Sequence, residues 1–228
     1  MNVLIVAVDT SGKQGSIALC RGDAASFEVL QLTSLEGGTY SALLMPRISE
    51  ALRQNHLDKT KVDGFVVVSG PGSFTGLRVG LATVKGLCEV LHKPLATVSM
   101  LEAVALTYGR AGETATVALD AGRGEVYVGE YEMSAAGARP IREYIAKLDA
   151  FAAQAADSRG DLLTPDAKVA EAVQTTNTHA RLVAAIHADE IGRIGLRKLL
   201  AGETADPATV DVNYIRRSDA ELFSAPKP

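Results

Sequence analysis

Apolar residues run along this chain in two rhythms. Continuous runs, Val3-Leu4-Ile5-Val6-Ala7-Val8 and Phe65-Val66-Val67-Val68, read as strands buried on both faces. Together with 15–20 and 27–32 they predict a meander over 3–8, 15–20 and 27–32, followed by a strand at 64–69. Tyr40, Leu44, Ile48, Ala51 and Leu52 share one face at helical spacing and predict a helix over 41–55. Pro46 lies inside it, so that helix is expected to start late or to kink. A helix over 75–92 ends at Lys93-Pro94, and a strand at 95–98 and a short helix near 99–108 follow. Beyond Thr114 the pattern gives strands at 115–120, 125–132, 161–164 and 181–184, helices at 146–156, 166–174 and 188–201, and a strand-like tail from Val212 to Arg217. A meander followed by alternating helices and strands is α/β with mixed sheets.

The chain also repeats itself. Val6-Ala7-Val8-Asp9-Thr10-Ser11-Gly12-Lys13 matches Val117-Ala118-Leu119-Asp120-Ala121-Gly122-Arg123-Gly124. Each is a buried run ending in Asp, then a turn of small residues with one basic side chain, then an alternating strand. Two such units predict two lobes built alike. The expected division is 1–110 for the first lobe and 111–228 for the second, with the tail from about 205 packing back on the first.

Composition narrows the field. The 228 residues can bury a sizeable core, and 47% hydrophobic with 22% charged is ordinary for a globular protein. A net charge of −4 and 5% aromatics without Trp argue against a stand-alone nucleic-acid binder. Cys20 and Cys88 read as small buried hydrophobes. His56, His92, His179 and His187 have no metal-ligand spacing. No run is long enough to span a membrane, and Met1-Asn2-Val3-Leu4 lacks a basic signal start, so the expected location is cytoplasmic.

The most specific stretch is Ser69-Gly-Pro-Gly-Ser-Phe-Thr-Gly-Leu-Arg-Val-Gly80. A strand, a tight glycine turn and a helix start form a place where N–H groups can face an anion or a partner. The three common signatures fail: G-x-G-x-x-G is missed by one position, and neither a P-loop nor G-x-S-x-G is present. Gly76, Gly80, Val84 and Cys88 share a helix face, and Gly86 adds another glycine. Gly80 and Gly86 together cost about 2 kcal/mol relative to alanine, so close backbone approach must offset them. That approach reads either as packing within the lobe or as a docking face for a second subunit. Arg78 and Lys85, on other faces, read either as solvated charges or as ion-pair partners across such an interface.

These residues, with Val98-Ser99, Asp120–Tyr127 and Tyr214-Ile215-Arg216-Arg217, resemble the TsaB family, paralogous to TsaD and long labelled glycoprotease-like. The resemblance is carried by 3–11, 64–104 and 116–131 and fades across 140–205. It implies a two-lobed actin-like, sugar-kinase-like (ribonuclease H-like) fold. It also implies a part in threonylcarbamoyladenosine formation beside the tRNA anticodon. In that family TsaB binds TsaD, which transfers the threonylcarbamoyl group, and the ATPase TsaE joins them. The implied partner face comprises Tyr40, Leu44, Ile48, Gly76, Arg78, Gly80, Leu81, Val84 and Lys85. Asp9, Thr10, Ser11, Gly70, Gly72, Ser73 and Asp120 are expected to be a degenerate nucleotide pocket.

Chemistry separates the paralogues. TsaD holds a metal through His-Met-Glu-Gly-His after the second strand, with histidines at i and i+4. Here the segment reads Met100-Leu101-Glu102-Ala103-Val104, with Met100 and Val104 at the histidine positions. Tyr40-Ser41 replaces the family's frequent His-Ser or His-Thr, and Ser41 or Thr39 is expected to cap the helix. The resemblance therefore implies a non-catalytic scaffold subunit. It has no intrinsic cofactor; ATP and a divalent metal are expected on its partner subunits. It reaches tRNA only through the complex, pairs with itself when alone, and has no membrane role. The competing readings are a metal- or ATP-dependent, peptidase-like hydrolase acting alone, and a stand-alone tRNA-binding module.

Overall fold

The structure, a computed structural model, describes residues 2–155, 160–174 and 180–215. Two compact units are evident. The first holds Met1–Met100 and Ile186–Asn213, and the second holds Leu101–Ala185. The first unit's elements are β1 (Val3–Asp9), β2 (Gln14–Gly22), β3 (Phe27–Glu36), α1 (Tyr40–Gln54), β4 (Gly64–Gly70), α2 (Phe74–Leu91) and β5 (Leu95–Ser99). Its sheet runs β3-β2-β1-β4-β5. β2 is antiparallel to β1, whereas β4 and β5 are parallel to it.

After α3 (Met100–Tyr108) the order recurs with β6 (Thr114–Gly122), β7 (Glu125–Ser134), β8 (Gly137–Lys147), α4 (Leu148–Ala155), β9 (Asp161–Thr164), α5 (Ala167–Gln174) and β10 (Ala180–Leu182), closed by α6 (Ala188–Leu200). The second sheet runs β10-β9-β6-β7-β8, which is the order of the first. The arrangement βββαβαβ thus occurs twice, the duplicated α/β architecture of the actin-like and ribonuclease H-like folds.

The first core is built by the continuous apolar runs. Ile5, Val6, Ala7 and Val8 of β1 and Phe65 to Val68 of β4 are fully buried, covered by helices on both faces. The helix on one face is α6, which lies against β1, β2, β4 and β5. Two glycines let it sit flush. A Cβ at Gly192 would lie 3.0 Å from Cys20 Sγ, and one at Gly195 would overlap Val66. The chain therefore re-enters the first unit at Ile186, earlier than the tail expected from about 205, because that sheet face needs the apolar side of α6. The second core gathers Val126, Val128, Phe151, Leu162, Val169 and Val173.

The structure departs from the sequence expectations in four places. β8 has no counterpart among the expected strands. It is an edge strand with no buried residue, with Arg139, Arg142 and Lys147 paired to glutamates on β7 and Pro140 at a register shift. Its polar pattern hides it, and Pro is tolerated at an edge or bulge. α1 runs unbroken across Pro46, which is exposed. Thr39 holds the N-cap position but makes no side-chain cap; its hydroxyl donates to Glu36 O instead (2.6 Å). Described tail residues Val212 to Ile215 form no strand, and Arg216 and Arg217 lie outside the described residues, as does His179. Both cysteines are free and buried, and burial pushes each thiol up to about 12.

Candidate functional site

Six of the seven expected pocket residues meet in the first unit, where the turn after β1 faces the turn between β4 and α2. Asp9 ends β1, is buried, and accepts the Ser11 N–H on Oδ1 (2.8 Å). Burial raises its pKa, opposed by the Ser11 hydrogen bonds and, more weakly, by His187. The Thr10 hydroxyl donates to Gly76 O (2.8 Å), and the Ser73 N–H donates to Ser11 O (2.6 Å). Gly70 takes φ +134°, open to glycine, and the Gly70–Pro71 peptide is cis. Ser73 is the N-cap of α2, its Oγ accepting the Gly76 N–H (3.3 Å). Tyr40 closes one side by donating to Gly12 O (2.8 Å).

This cluster ties two turns together, and it is poorly suited to a nucleotide phosphate. The Ser73 and Gly76 N–H groups at the head of α2 are taken by the chain itself. A Cβ at Gly72 would overlap the Ser11 carbonyl oxygen, so an anion there would face a lone pair rather than a donor. Asp120, the seventh residue, belongs to the second unit. There it accepts the Gly122 N–H (3.0 Å) and pairs with Lys168 (3.4 Å), while its own N–H donates to Asp166 Oδ2 (2.8 Å). Its turn is a two-residue hairpin, Arg123-Gly124, with both φ positive. At the head of α3, Val104 is wholly buried and Met100 nearly so. Among the described residues no group of three or more His, Cys, Asp or Glu could hold a metal ion.

The expected partner face needs correction. Tyr40, Leu44, Ile48, Leu81 and Val84 are buried within the first unit. Gly76 and Gly80 serve that unit too: a Cβ at Gly76 would overlap Thr10 O, and one at Gly80 would overlap Thr10 Oγ1. The close approach that offsets Gly80 is therefore to the β1 turn. Lys85 is half-buried and donates to Val210 O (2.8 Å). Only Arg78 of the nine is exposed, its guanidinium 3.9 Å from the centroid of the Phe74 ring.

The same two helices also expose apolar side chains to solvent. Leu43 and Met45 of α1 and Phe74 and Val90 of α2 are large exposed apolar side chains, Val90 at 75%. Ala82 is exposed, and Gly86 has nothing within 4 Å of where a Cβ would stand. Phe74, Arg78, Ala82, Gly86 and Val90 follow one another at i+4 along α2. Sequence reasoning picked the inward stripe because it is more regularly apolar. It groups Gly86 with Gly80 as needing a close approach, but nothing within its own unit packs against Gly86.

Comparison with known proteins adds identity. A family model described as "TsaD: tRNA N6-adenosine threonylcarbamoyltransferase" matches residues 37–204. The protein described as tRNA threonylcarbamoyladenosine biosynthesis protein TsaB from Bacillus subtilis is 34% identical over 128 residues, 56% of this chain and 55% of that protein. A tRNA N6-adenosine threonylcarbamoyltransferase from Methylobacterium sp. (strain 4-46) is 47% identical over 60 residues, 26% of this chain and 17% of that one. The chain spans about half the length of the curated TsaB relative it matches. The structure of YeaZ from Pseudomonas aeruginosa superposes with a TM-score of 0.72 at 24% identity, covering 93% of this chain and 99% of that one, which establishes a shared fold. With the model matching well over half of its residues, the chain belongs to the TsaD family, in the branch of its paralogue TsaB (YeaZ).

Proposed function

We propose that this chain is a non-catalytic scaffold subunit for transfer of a threonylcarbamoyl group to the tRNA adenosine beside the anticodon, acting by heterodimerising with a TsaD paralogue. The observation that carries the reading is the solvent face of α1 and α2. Leu43, Met45, Phe74 and Val90 are exposed there, as are the small residues Ala82 and Gly86. Exposed apolar side chains on adjacent helices favour a helical partner, and exposed small residues on the same helix allow its backbone to approach closely. Relatives described as TsaB biosynthesis proteins support the tRNA-modification context. Replacement of the TsaD-type histidines by Met100 and Val104 supports leaving the metal, ATP and bond-making to the partners, TsaD and the ATPase TsaE. Without TsaD, the same face is proposed to pair two copies of this chain.

The test is to mix the chain with its cognate TsaD paralogue and weigh the product by light scattering, with and without ATP. A defined heteromer is the expected result. Gly86→Arg should abolish it while the variant stays folded, since the added side chain enters open space. Co-elution of that variant at wild-type affinity would overturn the α1–α2 interface. Peptide or ATP hydrolysis by the pure chain at ordinary turnover would overturn the non-catalytic assignment.

A further inference from the structure

After α6 the chain does not simply leave the first unit. Residues 203–213 cross it as an extended strap held at three points. The Ala205 N–H donates to Leu95 O (2.8 Å) in an antiparallel bridge that covers the outer edge of β5. Asp206 then organises a turn, accepting the Ala208 N–H on Oδ1 (2.9 Å) and the Thr209 hydroxyl on Oδ2 (3.1 Å). The turn aims the Val210 carbonyl at α2, where Lys85 Nζ donates to it (2.8 Å). Finally the Asn213 N–H donates to Ser69 O (2.8 Å), Val212 is buried, and Asn213 O lies 2.7 Å from where a Cβ on Gly70 would stand.

The strap therefore touches β5, the middle of α2 and the residues that open the glycine turn. Its own anchorage is slight. Of residues 203–213 only Val212 is buried, and most of the others are exposed. Segments with few buried apolar contacts open at low free energy. The turn it grips is the one that sets where α2 begins. Ser73, four residues after Ser69, caps that helix, and the Ser73 N–H holds the β1 turn.

We propose that residues 203–213 are a positioning strap: docked, they lock the glycine turn and α2 in register, and released, they loosen both. Lys85 and Ser69 are its positioning residues, and Val212 is its anchor. Because α2 carries the proposed partner face, strap docking and partner binding are coupled, each strengthening the other by the same factor. That last clause rests on the proposed scaffold role; the strap's hold on the turn does not.

The test is amide hydrogen exchange on the full chain and on two full-length variants. Lys85→Met removes the donor and keeps the stem, while Val212→Asp expels the anchor. Loss of one charged hydrogen bond corresponds to about a tenfold rise in local opening. Both variants are expected to speed exchange at Ala205 and Asn213 and, with them, at residues 72–77 by about tenfold, while the β1–β2 amides keep wild-type protection. Freed strap amides with unchanged exchange at 72–77 would overturn the proposal, as would strap amides that neither variant releases. Affinity for the TsaD paralogue is then measured. Wild type binding with both variants weakened supports the coupling, and equal affinity across all three overturns it. A wild-type chain that fails to bind overturns the scaffold role, while the exchange data still decide the strap.

Discussion

Two glycines six residues apart on α2 have opposite meanings. Gly80 faces inward, where a Cβ would overlap Thr10 Oγ1, while Gly86 faces open space. Gly80→Arg should therefore fail to fold or lose most of its stability. Gly86→Arg should gain about 1 kcal/mol from helix propensity, seen as a higher Tm, while losing the TsaD paralogue. A stabilised variant that no longer binds separates interface from fold in one experiment. Asp9 makes a second residue-level prediction. Burial raises its folded-state pKa above the ordinary value of 3.8, so the folded state binds its proton more tightly than the unfolded state does. Stability from this group is thus present at low pH and lost as pH rises through the folded pKa. Asp9→Asn keeps an acceptor for the Ser11 N–H and removes the buried charge. Its Tm is expected to exceed wild type near neutrality, with the gap closing as pH falls toward 3.8. A gap independent of pH would show that Asp9 is not the titrating group. At the residue scale the sequence could call for a close approach at Gly80 but not decide what approaches, because which side of a helix a glycine serves depends on what the fold puts opposite it.

At the scale of elements the sequence was far more legible. Continuous apolar runs gave the central strands, and helical spacing gave α1, α2 and α6 to within a residue or two of their observed ends. Those signals survive because burial on both faces, or along one stripe, must be written into side-chain identity. β8 left no such trace: it is held by its ladder with β7, and the cross-strand ion pairs on its edge look like solvated charge in one dimension. The helix best explained by its neighbours is α6. Gly192 and Gly195 bring it flush onto β1, β2 and β4, and Ile191, Ile194 and Leu196 fill the remaining space. Gly195→Ala gains helix propensity of about 1 kcal/mol but drives a methyl into Val66. Overpacking of a filled core costs about 1–3 kcal/mol, so the net effect is destabilising. Thermal denaturation checks it, and a Tm at or above wild type would mean that α6 can rise off the sheet at little cost.

For the whole molecule, the duplication was visible in the match between residues 6–13 and 117–124, and the two sheets repeat strand order accordingly. What the repeat could not announce is that α3, which follows the first sheet, is grouped with the second unit, while α6, which follows the second, returns to the first. Charge gives the last prediction. Binding to a phosphate backbone is driven largely by release of counterions from basic surfaces, and it weakens steeply with salt. This chain carries a net charge of −4 and 5% aromatic residues, so it offers little of that drive and few stacking surfaces. Titrated with tRNA alone, it should give no tight, salt-sensitive complex in a filter-binding assay. Added to a TsaD paralogue, it should raise that partner's tRNA affinity or its transfer rate, and Gly86→Arg should remove the increase without altering what the partner does unaided. A tight complex of tRNA with this chain alone, lost between about 50 and 200 mM salt, would make it a tRNA-binding module in its own right and displace the scaffold reading.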